Sequence, residues 1–403
     1  MKMKTTYFNA KLFNGIDNKI VSDAWFTVDD ATGKITETGT ETPLDDNAHV
    51  DLQGQYVMPG LINAHTHLMM NPDTNKLEFL SETEIAFGAL RSLKELLHSG
   101  VTYIRDCGCA FNVDLKLYKL AEAGQLSGTE IVPSGRPISI IGGHGDFREN
   151  EDGKTNFSYL VSSQDEVRKS VREAFKQGVK NVKVMSTGGV MSANDQVDDT
   201  ELSEAEMQVA VEEAHSKHMT VAAHAQGNQG IQNALDAGVD SIEHGIYVDE
   251  QQATFMREHN VYLVPTLNAA ASITKYGKDK IPDYMINKNK KVQTDFYKNV
   301  AMALQKGVKV VVGTDAGTPF NSFKTGTWEE MAILVHEIGA TPYQALLGAT
   351  SYAAQLLRID NEYGSLAAGK VADFLVLKEN PLEKIEAVQQ PDKEIYKKGH
   401  KVV

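Results

Sequence analysis

Residues 236–245 read "DAGVDSIEHG", and their order is that of one folding unit. A helical pattern from Asn228 to Ala237 stops at Gly238, the residue best able to take the left-handed cap of a helix C-terminus. A short strand-like run follows at once and finishes on a histidine, His244. The same punctuation recurs as "HSGVT" (98–102), "KQGVKN" (176–181) and "QKGVKV" (305–310).

Working outward from this unit, eight strand candidates share the rhythm: "YVMPGLINAH" to His65, "VTYIRDCG", "EIVPSGRPIS", "VKNVKVMSTGG", "MTVAAHAQG", "VDSIEHG", "VYLVPTL" and "VKVVVGTDAG". Helical patterns lie between most of them: Glu82 to His98, Ser163 to Lys176, Ser203 to His218, Asp249 to His259, Val292 to Lys306 and Thr327 to Ile338. Eight such repeats predict an α/β fold, a (β/α)8 TIM barrel, over residues 57–360. An open doubly wound sheet is the competing architecture. It would want a phosphate loop, and the glycines of "GGHG" (142–145) and "TGGV" (187–190) have the wrong spacing for one. Residues 1–56 and 361–403 instead carry short strand patterns broken by Asn, Asp and Gly, and together predict one small β-sandwich built from both termini.

The composition of the 403 residues, 41% hydrophobic and 23% charged, is that of a globular chain. A formal net charge of -14 argues against a nucleic-acid or anionic-membrane surface. Cys107 and Cys109 are the only cysteines, too few for a disulfide framework. Their C-x-C spacing is a weak metal signal, and burial near a strand end in a reducing compartment accounts for them as well. The opening "MKMKTTYFNAKLF" has no apolar signal core and no stretch is long enough to span a membrane, so a cytoplasmic location is expected.

In a barrel, the functional groups gather at the C-terminal strand ends. There the sequence places His65 and His67 of "HTH", whose i, i+2 spacing turns both to one side, then Lys183, His224, His244 and Asp315. Each alone has an ordinary reading as a hydrogen-bonded polar residue or, for Asp315, a turn cap. Together they are an imidazole and carboxylate set suited to a zinc-like divalent ion. Lys183 is the anomaly, because an ammonium within an apolar strand is costly to bury. His144, between glycines in "IGGHGDF", is a candidate substrate contact. His98, His215, His218 and His259 fall on helices and read as surface or packing residues.

With "PGLINAHTHL", "VKVMSTGG", "AAHAQG", "SIEHG", "GTDAG" and "GSLAAGKVADFLVL" in hand, the chain resembles the metal-dependent amidohydrolase superfamily over essentially its whole length. The branch it most resembles holds imidazolonepropionase-like proteins and Xaa-Pro dipeptidases. The resemblance implies two divalent metal ions, zinc or else manganese or cobalt. His65, His67 and Asp315 would bind the first, His224 and His244 the second, and an N6-carboxylated Lys183 would bridge them. It also implies attack on an amide by a metal-bridging hydroxide, with Asp315 moving the proton, and it makes His144 the contact for a dipeptide's α-carboxylate. Gln226 and Tyr247 are further candidate substrate contacts, and Arg136 is either a positive group near the site or a structural one. The lysine favours a binuclear dipeptidase, and an amidohydrolase acting on a cyclic amide is the alternative. The expected partner is a small molecule or dipeptide, with neither nucleic acid nor membrane, and the enzyme is expected to form a homo-oligomer.

Overall fold

The computed structural model describes residues 4–41, 47–73, 80–146, 157–193 and 195–403. The stretches of the two expected domains between these ranges, and residues 1–3, lie outside the described residues. Two parallel sheets form the centre. One runs in the order Tyr159–Val161, Ile138–Ile140, Asn181–Met185, Thr220–Ala225, Ser241–His244 and Tyr262–Val264; the other is Leu61–Thr66, Val101–Asp106 and Glu130–Val132. Every residue of the Asn181–Met185, Thr220–Ala225 and Ser241–His244 strands is buried. Strands of a parallel sheet covered on both faces read in this way, as apolar runs without alternation. The register pairs Met185 with His224 and Ala225 with His244, which brings neighbouring strand ends level.

Three of the eight expected strands take a different form. "YVMPGLINAH" divides at Gly60, with Tyr56–Pro59 in the accessory sheet and Leu61–Thr66 in a central one. "EIVPSGRPIS" is divided into Glu130–Val132 and Ile138–Ile140. Pro133 and Pro137 donate no backbone hydrogen bond, and Gly135 has φ +63°. Residues 308–316 make only isolated bridges, through Val310 to Leu263 and Ala316 to Thr66. Their backbone nevertheless bonds to both central sheets: Val311 N–H donates to Leu263 O at 2.8 Å, and Ala64 N–H to Val312 O at 2.8 Å. Regular pairing stops because Gly313 lies close against its neighbours (a Cβ there would stand 2.3 Å from Val264 Cγ1) and Asp315 turns to φ +59°. The architecture is an α/β core of the TIM-barrel type with an accessory sheet.

The helices follow their caps. Ser81 with Glu84, Ser203 with Glu206 and Asp249 with Gln252 make capping boxes, and Gly238 at φ +88° ends Asn228–Ala237 as its sequence predicts. Asp283–Gln305 begins nine residues before the expected Val292, because "DYMINKNKK" is too polar to show an apolar stripe. Leu267–Tyr276 has no counterpart among the expected helices. It lacks a side-chain cap and starts from Thr266 at φ +57°.

In place of the expected sandwich, strands from both termini make one accessory sheet of eight strands. Its main path is His400–Lys401, Glu394–Lys397, Phe374–Leu377, Tyr56–Pro59, Lys4–Leu12, Val21–Asp29 and Lys34–Thr40, with Ala48–Asp51 beside Lys4–Leu12. The sheet curls until Lys34 bridges Val371, and it encloses a core in which Tyr7 stacks on Phe26 and Phe374 on Tyr396. Among the described residues no helix is long and apolar enough to cross a membrane.

Candidate metal centre and active-site cavity

The five strand-end groups and Lys183 converge. The rings of His65 and His67 lie 5.4 Å apart, His65 and His244 5.2 Å, and His224 and His244 4.6 Å, centroid to centroid. Asp315 Oδ1 stands 3.2 Å from His67 Nε2 and 3.5 Å from His65 Nε2. Lys183 Nζ lies 3.4 Å from His65 Nε2 with only 1% of the residue exposed, and no carboxylate forms an ion pair with it among the described residues. His244 and Asp315 both hold positive φ, +68° and +59°. Such conformations cost about 1–3 kcal/mol for a residue with a side chain and persist where surrounding structure enforces them, commonly at functional sites.

Each histidine spends one ring nitrogen on the protein and keeps the other. His67 Nδ1 is 2.9 Å from Gly108 O, His244 Nδ1 is 2.7 Å from Thr266 Oγ1, and His224 Nε2 is 3.0 Å from Gly188 O. His65 Nδ1 lies 2.6 Å from Glu243 Oε2. Partners of this kind fix the tautomer and leave the remaining nitrogen as a lone-pair donor. Burial, seconded by the Lys183 charge, holds His65 well below its ordinary pKa; burial and the nearby His144 do the same for His224, and burial pushes His244 down to about 4. Burial alone would raise the Asp315 carboxyl, but the neighbouring rings of His67, His65 and His244 hold it well below the carboxylate range. The result is unprotonated imidazoles at His65, His224 and His244 beside an ionised carboxylate, with ligand atoms of His65, His67 and Asp315 within 4.8 Å of one another. This donor set fits a divalent cation, which binds neutral imidazole and charged carboxylate.

A second group with metal-like composition is His65, Cys107 and Glu243, all buried. Its hydrogen bonds give it a different role. Glu243 Oε1 accepts from Arg105 Nη2 at 2.7 Å and from Ser241 Oγ, while Arg105 Nε donates to Ala64 O at 2.7 Å. Burial pushes the Cys107 thiol up to about 12, so it stays protonated. Arg105 and Glu243 are thus a buried ion pair that orients His65. Neither was singled out from the sequence, although an arginine inside "VTYIRDCG" and a glutamate inside "SIEHG" carry the same signal as Lys183, a charge within an apolar strand. Asp106 braces His67 from behind: it accepts from Leu68 N–H at 2.6 Å and from Gly108 N–H at 3.2 Å.

Beside the cluster opens a cleft of about 810 Å³, open solvent included, lined by His67, His144, Lys183, His224, Gln226, His244 and Asp315 among others. His144 stacks on His224, with centroids 4.2 Å apart and planes at 21°. Its Nδ1 faces Ser192 Oγ at 2.9 Å and Asp195 Oδ2 at 3.5 Å, while Glu201 Oε1 accepts from its backbone N–H at 2.6 Å. Gln226 lines the wall. Tyr247 does not; it is half-buried and packs against the core beside the cavity. Arg136 also lies outside the lining, stacked on Tyr159 with its guanidinium 4.5 Å from the ring centre and bonded to Ser158 O, which makes it structural.

Known proteins are similar to this chain in sequence and fold. Ochratoxinase of Aspergillus niger is 30% identical over 361 residues, spanning 83% of this chain and 72% of that enzyme. The crystal structure of a Xaa-Pro dipeptidase with methionine bound in its active site matches with a TM-score of 0.90 and 28% identity, covering 99% of each chain. A putative prolidase from Bifidobacterium longum matches with a TM-score of 0.85 and 32% identity, over 100% of this chain and 95% of that one. The model of the amidohydrolase family matches residues 56–400. The chain belongs to the amidohydrolase family, and it is a metal-dependent enzyme acting on amide or related C–N bonds.

Proposed function

We propose that the protein is a binuclear dipeptidase that removes a C-terminal residue, with Xaa-Pro dipeptides the leading substrates. The observation that carries this reading is His144: backed by Asp195 and stacked on His224, it lines the cavity one ring away from the donor cluster. Burial would raise the Asp195 carboxyl, but the neighbouring His144 ring at 3.5 Å and the Gly189 N–H it accepts at 3.0 Å hold it below its ordinary value. An imidazole paired in this way is suited to take a substrate α-carboxylate. The likeness to a Xaa-Pro dipeptidase that holds methionine, itself a free α-carboxylate, adds support.

His65, His67 and Asp315 would hold one ion and His224 and His244 the other, with zinc, manganese or cobalt all compatible with these donors. Lys183 would join the two after its Nζ adds to the carbon of CO₂ and loses a proton, which turns an unpaired buried amine into an anionic oxygen ligand. When bound, the ions would supply nucleophilic water near neutral pH and polarise the scissile carbonyl. Asp315 would take the proton from the attacking water and deliver it to the departing nitrogen, a poor leaving group until protonated. Residues 308–316 would act as the eighth strand, joining the two central sheets into a barrel over 57–360, with 1–56 and 361–403 forming the accessory domain.

A hydrolase of cyclic amides is the second reading. It is favoured by the apolar part of the lining, Met191, Ile246, Ile273, Val292 and Phe296, which suits an uncharged ring. A metal-supplemented hydrolysis screen separates the two, using Xaa-Pro dipeptides, dipeptides ending in Arg or Lys, N-acyl amino acids and imidazolone-type rings. Proline released faster than any other product is the expected result; turnover confined to cyclic amides would refute the dipeptidase.

A further inference from the structure

His144 is held by Gly189, Ser192 and Asp195, three residues that a single lysine on another element gathers. Ser192 Oγ and Asp195 Oδ2 face His144 Nδ1 at 2.9 and 3.5 Å. Gly189 lies against the ring itself, since a Cβ there would stand 2.4 Å from His144 Cε1. Lys288, on the Asp283–Gln305 helix, donates to Gly189 O at 3.0 Å, to Ser192 O at 2.8 Å and to Asp195 O, and Asp195 Oδ1 lies 3.4 Å from the same Nζ. One turn earlier on that helix, the Tyr284 hydroxyl donates to Met191 O at 3.0 Å. An ammonium has three protons, and these three carbonyls take them all, so Lys288 has no donor left for a substrate. Its side chain is 12% exposed, a burial made tolerable by three acceptors and an adjacent carboxylate.

We infer that Lys288 is a positioning residue for the carboxylate contact: by fixing the backbone of Gly189, Ser192 and Asp195, it sets where the His144 ring stands. The same helix supplies Asn289, Val292 and Phe296 to the cavity lining, so this clasp also ties one wall to the other. A group displaced by about 1 Å can cost about 100-fold, which gives a lysine that touches no substrate a measurable effect on its recognition. This inference rests on the dipeptidase reading.

The test compares Leu-Pro with leucyl-prolinamide, which lacks the α-carboxylate, at saturating metal on the wild type, Lys288→Met, His144→Asn and the double variant. The wild type should favour Leu-Pro by about 10–100-fold in kcat/KM, the range of a hydrogen bond to a charged group. Lys288→Met should lower that ratio at least about fivefold, with the loss on Leu-Pro carried by KM rather than kcat. The double variant should fall no lower than His144→Asn alone, because both changes remove one contact. Where Lys288→Met does not fold, Lys288→Gln, which keeps two of the three donors, should show the fall in the same direction. A folded Lys288 variant that keeps the wild-type ratio, whether or not overall activity drops, would make the lysine purely structural and overturn the inference while the dipeptidase stands. A wild-type ratio near one, or a ratio that His144→Asn leaves intact, would overturn the role of His144 and this inference with it.

Discussion

Replacing Glu243 by Gln separates the two roles assigned to the buried pair behind His65. The carboxylate spans His65 Nδ1 at 2.6 Å and Arg105 Nη2 at 2.7 Å, and the side chains of all three residues are fully excluded from solvent. Glutamine keeps the shape and one acceptor oxygen but removes the charge, so Arg105 is left as a buried cation without its anion, bonded to neutral acceptors such as Ala64 O and Ser241 Oγ. Breaking a buried pair from one side costs about 3–5 kcal/mol. His65 loses its charged orienting partner as well, and loss of such a partner lowers metal affinity about 10–100-fold, equivalent to about 1.4–2.8 kcal/mol. Urea unfolding of the metal-free protein reads the first quantity, and competition against a chelator of known affinity reads the second. Adding Arg105→Met to the variant should restore most of the lost stability without restoring metal affinity. A Glu243→Gln protein with unchanged stability and unchanged affinity would show that the network neither holds the fold nor orients the ligand.

Other consequences follow from the same geometry. Asp315→Asn should lower kcat about 10²–10⁴-fold even at saturating metal, checked by assaying across a metal titration. Stripping the ions with a chelator should lower the melting temperature, and restoring them should raise it again, since a ligand at one hundred times its Kd adds about 2.7 kcal/mol; identical melting curves would refute a folded-state site. Burial raises the Glu201 carboxyl from its ordinary 4.5 to about 8, countered in part by the His144 N–H it accepts. The folded state therefore binds a proton that the unfolded state has lost, and stability should fall as pH rises through the window between those values, by up to about 1.4 kcal/mol per pH unit. Glu201→Gln should flatten that dependence, measured by urea midpoints from pH 5 to 9.

The legibility of this chain depended on where information was local. His65, His67, His224 and His244 could be found because each ends an apolar strand with recognisable punctuation before it, as Gly238 precedes Ser241–His244. The supporting residues were harder to find. Glu243 sits beside His244 on the same strand, and only the fold shows that it reaches His65, 178 residues away, while Arg105 clasps it from another strand. Asp315 was visible as a carboxylate, but its positive φ and the close packing of Gly313 against Val264 and His65 are properties of the fold. Tyr247 shows the limit of adjacency: three residues past His244, it packs on the core rather than in the cavity.

Metal stoichiometry, with and without Lys183, tests the central claim most directly. Wild-type protein purified with zinc and bicarbonate should hold two ions per chain, as a two-metal site requires, and Lys183→Ala should lose at least one of them while remaining folded. One tightly bound ion, unchanged by Lys183→Ala, would contradict the binuclear centre and remove the lysine from it.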